Sequence, residues 1–270
     1  MREPCPTGSQ WRLHYSLSAP GWQCEDFHLS ATRGKGSGET FKHYSVKPGD
    51  CLIADRGYSR LNGLGHVVRA GGHVILRLKE QRTPLEEACG KPFALLEWLR
   101  RAIREPGQTG SIKVWAHVGQ AEGQAEGQAD ERIAVRLCAV RKSPEAQALA
   151  QRKLRRRAQR NSTTQTPKTL EHGAWVVVLT TLAEETLGTQ EVLEWYRVRW
   201  QVELAFKRLK SLADAGHLPK RDKDSSSAWI YGKLLIALLA EKMQRYAAAF
   251  SPWGARWMDQ DPPPEPLEGV

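Results

Sequence analysis

The sequence has few cysteines, and they show no pairing pattern. Its 270 residues include five cysteines, an odd number, and no two of them stand in a C-x2-C arrangement. Structural zinc sites and disulfide frameworks both depend on closely or regularly spaced cysteines. The sequence therefore argues against both classes, and we expect reduced thiols in a cytoplasmic protein.

Long apolar runs are also missing. The longest, Leu234–Ala240, is far shorter than the run of about 20 apolar residues that a membrane-spanning helix needs. No apolar segment of the kind found in secretory signals follows Met1. The sequence predicts neither a membrane helix nor a signal peptide.

Negative charge is in deficit. Asp and Glu number 30 against 40 Lys and Arg, which gives a net charge of +10 and a pI near 9.5. Excess positive charge favours polyanionic partners, mostly nucleic acid. A soluble basic enzyme without such a partner is the alternative that charge alone leaves open. Hydrophobic residues make up 40% of the chain, which is enough for a core.

The first third of the chain has the pattern of a mixed α/β sheet. Short apolar or alternating runs predict strands, and loosely periodic segments predict helices between them. The predicted strands are 11–17, 26–31, 51–54 and 73–79, and the predicted helices are 39–44 and 58–70.

The rest of the chain predicts a hairpin, a buried strand and several helices. The hairpin strands 111–118 and 132–142 flank a threefold tetrapeptide repeat at 119–130, which we expect to be a mobile loop. The continuous apolar run 174–182 is typical of a central strand. Predicted helices are 93–104, 144–160, one beginning near Thr189, and 226–249.

Four polar residues fall on one side of the helix that begins near Thr189. They are Tyr196, Arg199, Glu203 and Lys210. At about 100° per residue, their offsets place them at roughly 0°, −60°, −20° and −40° around the helix axis. A carboxylate among a phenol, a guanidinium and an ammonium is a suitable arrangement for a metal ion beside a phosphodiester. A solvated surface pair between Arg199 and Glu203 is the plainer alternative.

A second acidic candidate, Asp55, follows the apolar run Leu52–Ala54. A carboxylate at the end of a buried strand is held stiffly where the loops open, and Gly57 permits a sharp turn after it. Taken alone, Asp55 would by default be interpreted as a turn cap.

These two segments resemble the signatures of the insertion-sequence-4 group of DDE transposases, Tyr-x2-Arg-x3-Glu-x6-Lys and an Asp followed by Arg-Gly and an aromatic residue. The similarity covers most of the chain but neither the repeat nor the residues after Ser251. It implies a ribonuclease-H-like mixed sheet flanked by helices, with a β-rich insertion. It also implies cut-and-paste DNA transposition by metal-dependent cleavage and strand transfer, with two Mg²⁺ or Mn²⁺ ions.

The resemblance also assigns roles to individual residues. Asp55 and Glu203 correspond to the second and third acidic ligands. Tyr196, Arg199 and Lys210 would contact phosphates at the transposon ends. Double-stranded DNA is thus the expected partner of a cytoplasmic, nucleoid-associated bacterial protein, with a homo-oligomer on DNA as an open possibility and with no membrane or small-molecule substrate.

Two further features could serve DNA. Arg155, Arg156 and Arg157 lie in the cation-rich helix 144–160 and either track phosphates or form a solvated face. Trp115 on the predicted hairpin either stacks on an extruded base or belongs to the core.

With the resemblance, the chain divides into five parts. Residues 1–82 begin the catalytic core, 83–168 form the insertion, 169–213 supply a core strand and the catalytic helix, 214–250 form a helical region, and 251–270 form a disordered tail. The family's first Asp lies on a strand that would precede Met1. We therefore expect an N-terminally incomplete core, defective as an isolated chain. The alternative is a relic that binds DNA or a full-length partner without catalysis.

Overall fold

The computed structural model describes residues 11–32, 38–79, 83–118, 131–164, 166–211 and 222–250. The chain divides into two compact units. One combines the residues up to Glu39 with those from Trp200 onward, and we call it the hairpin unit. The other spans Thr40–Arg199, and we call it the sheet unit. The repeat at 119–130 and the residues after Phe250, for which we predicted disorder, lie outside the described residues.

The described elements follow one another in mixed order. The strands are β1 Trp11–Ser18, β2 Gln23–Ala31, β3 Cys51–Ala54, β4 His73–Arg77, β5 Thr109–His117, β6 Arg132–Arg141 and β7 Trp175–Thr180. The helices are α1 Leu61–Arg69, α2 Leu95–Ala102, α3 Pro144–Arg160, α4 Pro167–His172, α5 Thr189–Val198, α6 Trp200–Ser211 and α7 Lys223–Phe250.

The sheet unit contains a mixed five-stranded sheet in the order β3-β4-β7-β6-β5. β3 and β4 are parallel, whereas β4–β7, β7–β6 and β6–β5 are antiparallel pairs. The apolar run that begins at Trp175 is β7, and it lies between β4 and β6, so the prediction of a central strand is confirmed. The predicted fold class, a mixed sheet flanked by helices, is confirmed as well.

Alternating side chains give this sheet two apolar faces. Val74 and Leu76 of β4 belong to a cluster that includes Leu64 of α1 and Leu99 of α2. Ile75, between them in sequence, belongs to a second cluster that includes residues of α5. Helix α5 therefore covers the face opposite to the one that α1 and α2 cover.

The hairpin unit has its own small core. β1 and β2 pair antiparallel, from Trp11 opposite Ala31 to Ser18 opposite Gln23. Tyr15 and Leu29 of this hairpin pack in one cluster with Leu209 of α6 and Leu234 of α7.

Two helix predictions need correction. Residues 39–44 form only a short 3₁₀ turn, Phe41–His43, because one turn is all that precedes the extended backbone of Tyr44. The helix expected to run unbroken through the polar stripe divides at Arg199 into α5 and α6. The Arg199 N–H donates to the Tyr196 carbonyl three residues back, at 3.2 Å, which tightens the last turn of α5.

The sequence also held a helix that we did not predict. α4 occupies part of a segment that reads as a polar linker. Thr166 caps it by accepting a hydrogen bond from the Thr169 N–H at 3.2 Å, and Pro167 takes its first position. Thr-Pro is a recognisable helix start, because Thr caps the first turn and Pro suits the first helical position.

Candidate functional site

Asp55 follows β3 directly and begins a tight turn. Its Oδ1 accepts a hydrogen bond from the backbone N–H of Arg56 at 2.6 Å, so it caps the 3₁₀ turn Arg56–Tyr58. Tyr58 anchors that turn through its hydroxyl, 3.0 Å from that of Tyr44, and through stacking on Phe41. Asp55 is exposed, and among the described residues no donor reaches its Oδ2. Capping therefore uses one carboxylate oxygen and leaves the other for a ligand.

Strand register places Asp55 beside Arg77. Ile53 is opposite Ile75 and Ala54 is opposite Leu76 in the parallel pair, so Asp55 and Arg77 come next along β3 and β4. Ile53 and Ile75 both contact the α5 cluster. Because side chains two residues apart share a face, Asp55 and Arg77 lie on the face that α5 covers.

Tyr196 brings the end of α5 to the same place. Its side chain is buried against Ile75 and Val178 of the sheet. The guanidinium carbon of Arg199 lies 5.7 Å from the centroid of the Tyr196 ring. The predicted phosphate ligands Tyr196 and Arg199 are thus in contact with each other.

Three charged groups act on the Tyr196 phenol. Burial raises the pKa of Tyr196, the charges of Arg199 and Arg77 act to lower it, and Asp55 acts to raise it. The phenol therefore stays protonated at neutral pH and can donate a hydrogen bond. The structure gathers Asp55, Arg77, Tyr196 and Arg199 at one edge of the sheet unit.

Glu203 and Lys210 belong to the hairpin unit. Both are exposed on α6, and their spacing of seven residues puts them about 20° apart on one face. Ala205 and Leu209 pack on another face of the same helix. Glu203 and Lys210 can therefore act together toward solvent. That Asp55 and Glu203 share an ion stays a prediction.

Two further cations lie at the same edge of the sheet, and sequence patterns did not predict them. Arg77 is the last residue of β4, and Lys142 follows β6 directly. Each ends an apolar strand, as Asp55 does. Asp55 was identified because it follows an apolar run. The same signal, applied to basic residues, could have identified Arg77 and Lys142.

The arginines of α3 are all exposed. Ser143 caps this helix by accepting from the Ala146 N–H at 3.2 Å, and Pro144 opens it. Around the axis, Arg156 and Arg157 lie about 60° or less from Lys153, whereas Arg155 lies about 160° away. The predicted patch of Arg155, Arg156 and Arg157 thus points in two directions.

Trp115 lies on β5 and is half-buried. The Arg132 guanidinium lies 5.2 Å from its ring centroid and the Lys113 ammonium lies 5.8 Å away. The residue pairs through its backbone with Glu86. Its ring already carries cations, and its role toward a base stays open.

Metal-binding groups are sparse in the described ranges. No cluster of three or more His, Cys, Asp or Glu side chains occurs there. The four described cysteines, Cys24, Cys51, Cys89 and Cys138, are all free. Asp55 fits a hard divalent ion in kind, because a carboxylate oxygen without a donor suits such an ion. Within the residues that the structure describes, none of the helices has the length and apolar content for crossing a membrane.

The chain is similar to known transposases. Residues 38–239 match the family model described as the transposase DDE domain. The chain is 29% identical over 248 residues to the transposase for insertion sequence element IS421 of Escherichia coli, which covers 92% of the chain and 64% of the relative. It is 24% identical over 251 residues to the transposase for IS231F of Bacillus thuringiensis subsp. israelensis, covering 86% of the chain and 49% of the relative.

The match spans well over half of the chain, so this protein belongs to the DDE transposase domain family. The chain spans only about two thirds or less of the length of these relatives, at 64% and 49%.

Proposed function

We propose that this chain is the greater part of a transposase that cuts and rejoins DNA at the ends of a mobile element. The observation that carries the proposal is the gathering of Asp55 with Arg77, Tyr196 and Arg199 at one sheet edge. An acid beside three phosphate-binding side chains suits a phosphodiester, with the acid reserved for a cation. Family membership and the transposase names of the relatives support the same reaction.

Each side chain has a defined task in this proposal. Arg199 and Arg77 would bind non-bridging phosphate oxygens, and a guanidinium does so in a forked, directional manner. Tyr196, kept protonated by burial, would donate to another phosphate oxygen. Lys210 would add a point charge from α6. These contacts hold the scissile strand in place and offset its charge.

DDE transposase domains generally use divalent metal ions, and we assign Mg²⁺ or Mn²⁺ to Asp55 and Glu203. Carboxylate oxygens are the preferred protein ligands of such hard cations. When bound, the ion polarises the phosphodiester and lowers the pKa of the attacking hydroxyl. Duplex DNA is the partner and the bacterial cytoplasm the place of action in this proposal.

A relic that binds DNA without cutting it is the second candidate. It is favoured by the shortage of acids, since the described residues hold no cluster of three metal-binding side chains. The two candidates agree about DNA binding and differ only in cleavage.

Mg²⁺-dependent cleavage of element-end DNA tests the proposal. The protein is assayed as this chain and as an extended form that carries the part of its relatives which this chain does not cover. In the extended protein we expect Glu203→Ala and Asp55→Asn to abolish cleavage, by about 10³-fold or more, because each removes a metal ligand. Asp50→Asn is the matched control, since Asp50 caps a neighbouring turn by accepting from Lys47 N–H at 2.7 Å.

Unchanged cleavage by Glu203→Ala refutes its assignment. DNA binding without cleavage, even by the extended protein, favours the second candidate. Absence of DNA binding by either form contradicts both.

A further inference from the structure

Lys142 is a buried lysine in an unusual setting. Only 9% of its surface is exposed. Its backbone is fixed, because its N–H donates to the Ala174 carbonyl at 2.9 Å and Ser143 next to it caps α3. Lysines are almost never this deeply buried unless a partner balances the charge.

No acidic partner is present within the described ranges. Lys142 forms no ion pair or side-chain hydrogen bond there, and the charges that act on it come from Arg77, Lys153 and Arg56. These four cations come from four places in the fold: the turn after β3, the end of β4, the end of β6, and α3. Burial first, and then these three positive charges, lower the pKa of Lys142 to about 8. We call these residues the Lys142 cluster.

The cluster adjoins the proposed catalytic edge. Arg56 follows Asp55 in the same turn, and Arg77 acts on both Tyr196 and Lys142. Lys142 continues the alternation of Cys138 and Val140, which contact the α5 cluster, so it lies on the face that carries Asp55 and Arg77. It also lines a cleft of about 370 Å³ beside the start of α3, so it borders solvent despite its burial.

Lys153 leads away from this edge along α3. Arg156, Arg157 and Arg160 follow it at offsets of three, four and seven residues, which is one face of the helix. At about 1.5 Å per residue, that face is about 10 Å long, or about three steps of a DNA strand at 3.4 Å each. A single free phosphate would not need this extension, whereas a strand would.

We propose that Lys142, with Arg56 and Lys153, binds a backbone phosphate of the DNA strand next to the phosphate held by Tyr196, Arg199 and Arg77. This proposal rests on the DNA-binding part of the proposed function. The bound phosphate supplies the negative partner that Lys142 lacks among the described residues, and α3 carries the strand onward from there.

Binding of duplex element-end DNA, measured by fluorescence anisotropy at several salt concentrations without divalent metal, tests the proposal. Lys142→Met removes the charge and retains the apolar stem. We expect about tenfold weaker binding and a slope of log K against log salt smaller in magnitude by about 0.9, the value for one lost phosphate contact. Lys142→Arg should restore the slope.

Lys91→Met is the matched control, since Lys91 is exposed in the same unit and its loss removes the same net charge. It should leave the slope unchanged. Thermal unfolding of each variant shows that the protein is folded. If Lys142→Met has the affinity and slope of Lys91→Met, this inference is wrong while the proposed function stands. If the unaltered protein does not bind duplex DNA, both are wrong.

Discussion

Two buried cations lie on the same face of the sheet but differ in their partners: Arg136 on β6 and Lys142 just after it. Arg136 is 7% exposed and donates to the Leu182 carbonyl at 3.2 Å and to those of Ala183 and Leu187, while it pairs with Glu184. Lys142, six residues on and 9% exposed, forms no ion pair or side-chain hydrogen bond among the described residues, although Glu105 lines the same cleft. Arg136 has several acceptors within the protein, whereas Lys142 has none among the described residues.

The satisfied cation has a structural task. The carbonyls that Arg136 binds belong to the loop between β7 and α5, and Glu184 in that loop also accepts from the Thr189 N–H at 3.0 Å. Burial acts to raise the pKa of Glu184, but hydrogen bonds from Thr189 and Arg136 outweigh it and lower that pKa. Arg136 therefore fixes the start of α5, whose other end carries Tyr196. Buried cations on one strand thus serve positioning at one point and binding at another.

Replacing Arg136 gives the largest expected change in stability. Arg136→Met leaves several carbonyls without a donor, and we expect a loss of about 2–4 kcal/mol in the free energy of unfolding. Urea unfolding measures it. DNA affinity of the folded fraction, extrapolated to the same salt, should change little. A loss below about 1 kcal/mol would show that the hydrogen bonds of Arg136 do not stabilise the fold, and its contrast with Lys142 would fail.

Replacing Lys142 should raise the free energy of unfolding, whereas replacing Arg136 should lower it. Lys142→Met removes a buried charge, so we expect a gain of about 1–3 kcal/mol in the free energy of unfolding at pH 7. In the unaltered protein the folded pKa is lowered to about 8, so the unfolded chain binds more protons above that pH. Stability from this residue therefore rises from about pH 8 toward the unfolded lysine pKa near 10.4. Urea unfolding between pH 7 and 10 would show the rise, and Lys142→Met should lack it.

Proton uptake on DNA binding sharpens the comparison. A phosphate beside Lys142 favours its charged form over the competing charges of Arg77, Arg56 and Lys153, with Asp55, Tyr196 and Arg199 nearby. At pH 8.5 we expect binding to take up about half a proton or more. Calorimetry in buffers of different ionisation enthalpy measures this uptake. The same uptake by Lys142→Met would contradict the assignment.

The arginines of α3 should show the smallest effects. Arg156→Ala with Arg157→Ala should reduce the magnitude of the salt slope by about 1–2, and each residue should contribute under about 1 kcal/mol because it is exposed. Arg155→Ala, on the other side of the helix, should leave the slope nearly unchanged. Anisotropy titrations measure these slopes, and if the Arg156/Arg157 double variant retains the original slope, this face of α3 is solvated and does not contact DNA.

Local sequence signals predicted much of this molecule. The apolar run that ends just before Asp55 predicted β3, and the predicted cation-rich helix 144–160 is α3. The apolar run from Trp175 predicted a strand covered on both faces. The helix break at Arg199 escaped the sequence, because residues on both sides have helical periodicity and the interruption is a change in backbone hydrogen bonding.

The sequence was enough to select Asp55 and four polar residues of one helical segment as candidate site residues, because helical periodicity and strand ends are properties of neighbouring residues. The four are Tyr196, Arg199, Glu203 and Lys210. Only the tertiary structure determined which residues lie beside Asp55. Arg77 and Lys142 reach its edge through the register of β4, β7 and β6, which pairs residues about 100 positions apart between β4 and β7 and about 40 positions apart between β7 and β6. Likewise, Lys142 is buried without a partner only because four distant segments converge there. Burial and electrostatic balance depend on those long-range contacts, and local sequence patterns do not encode them.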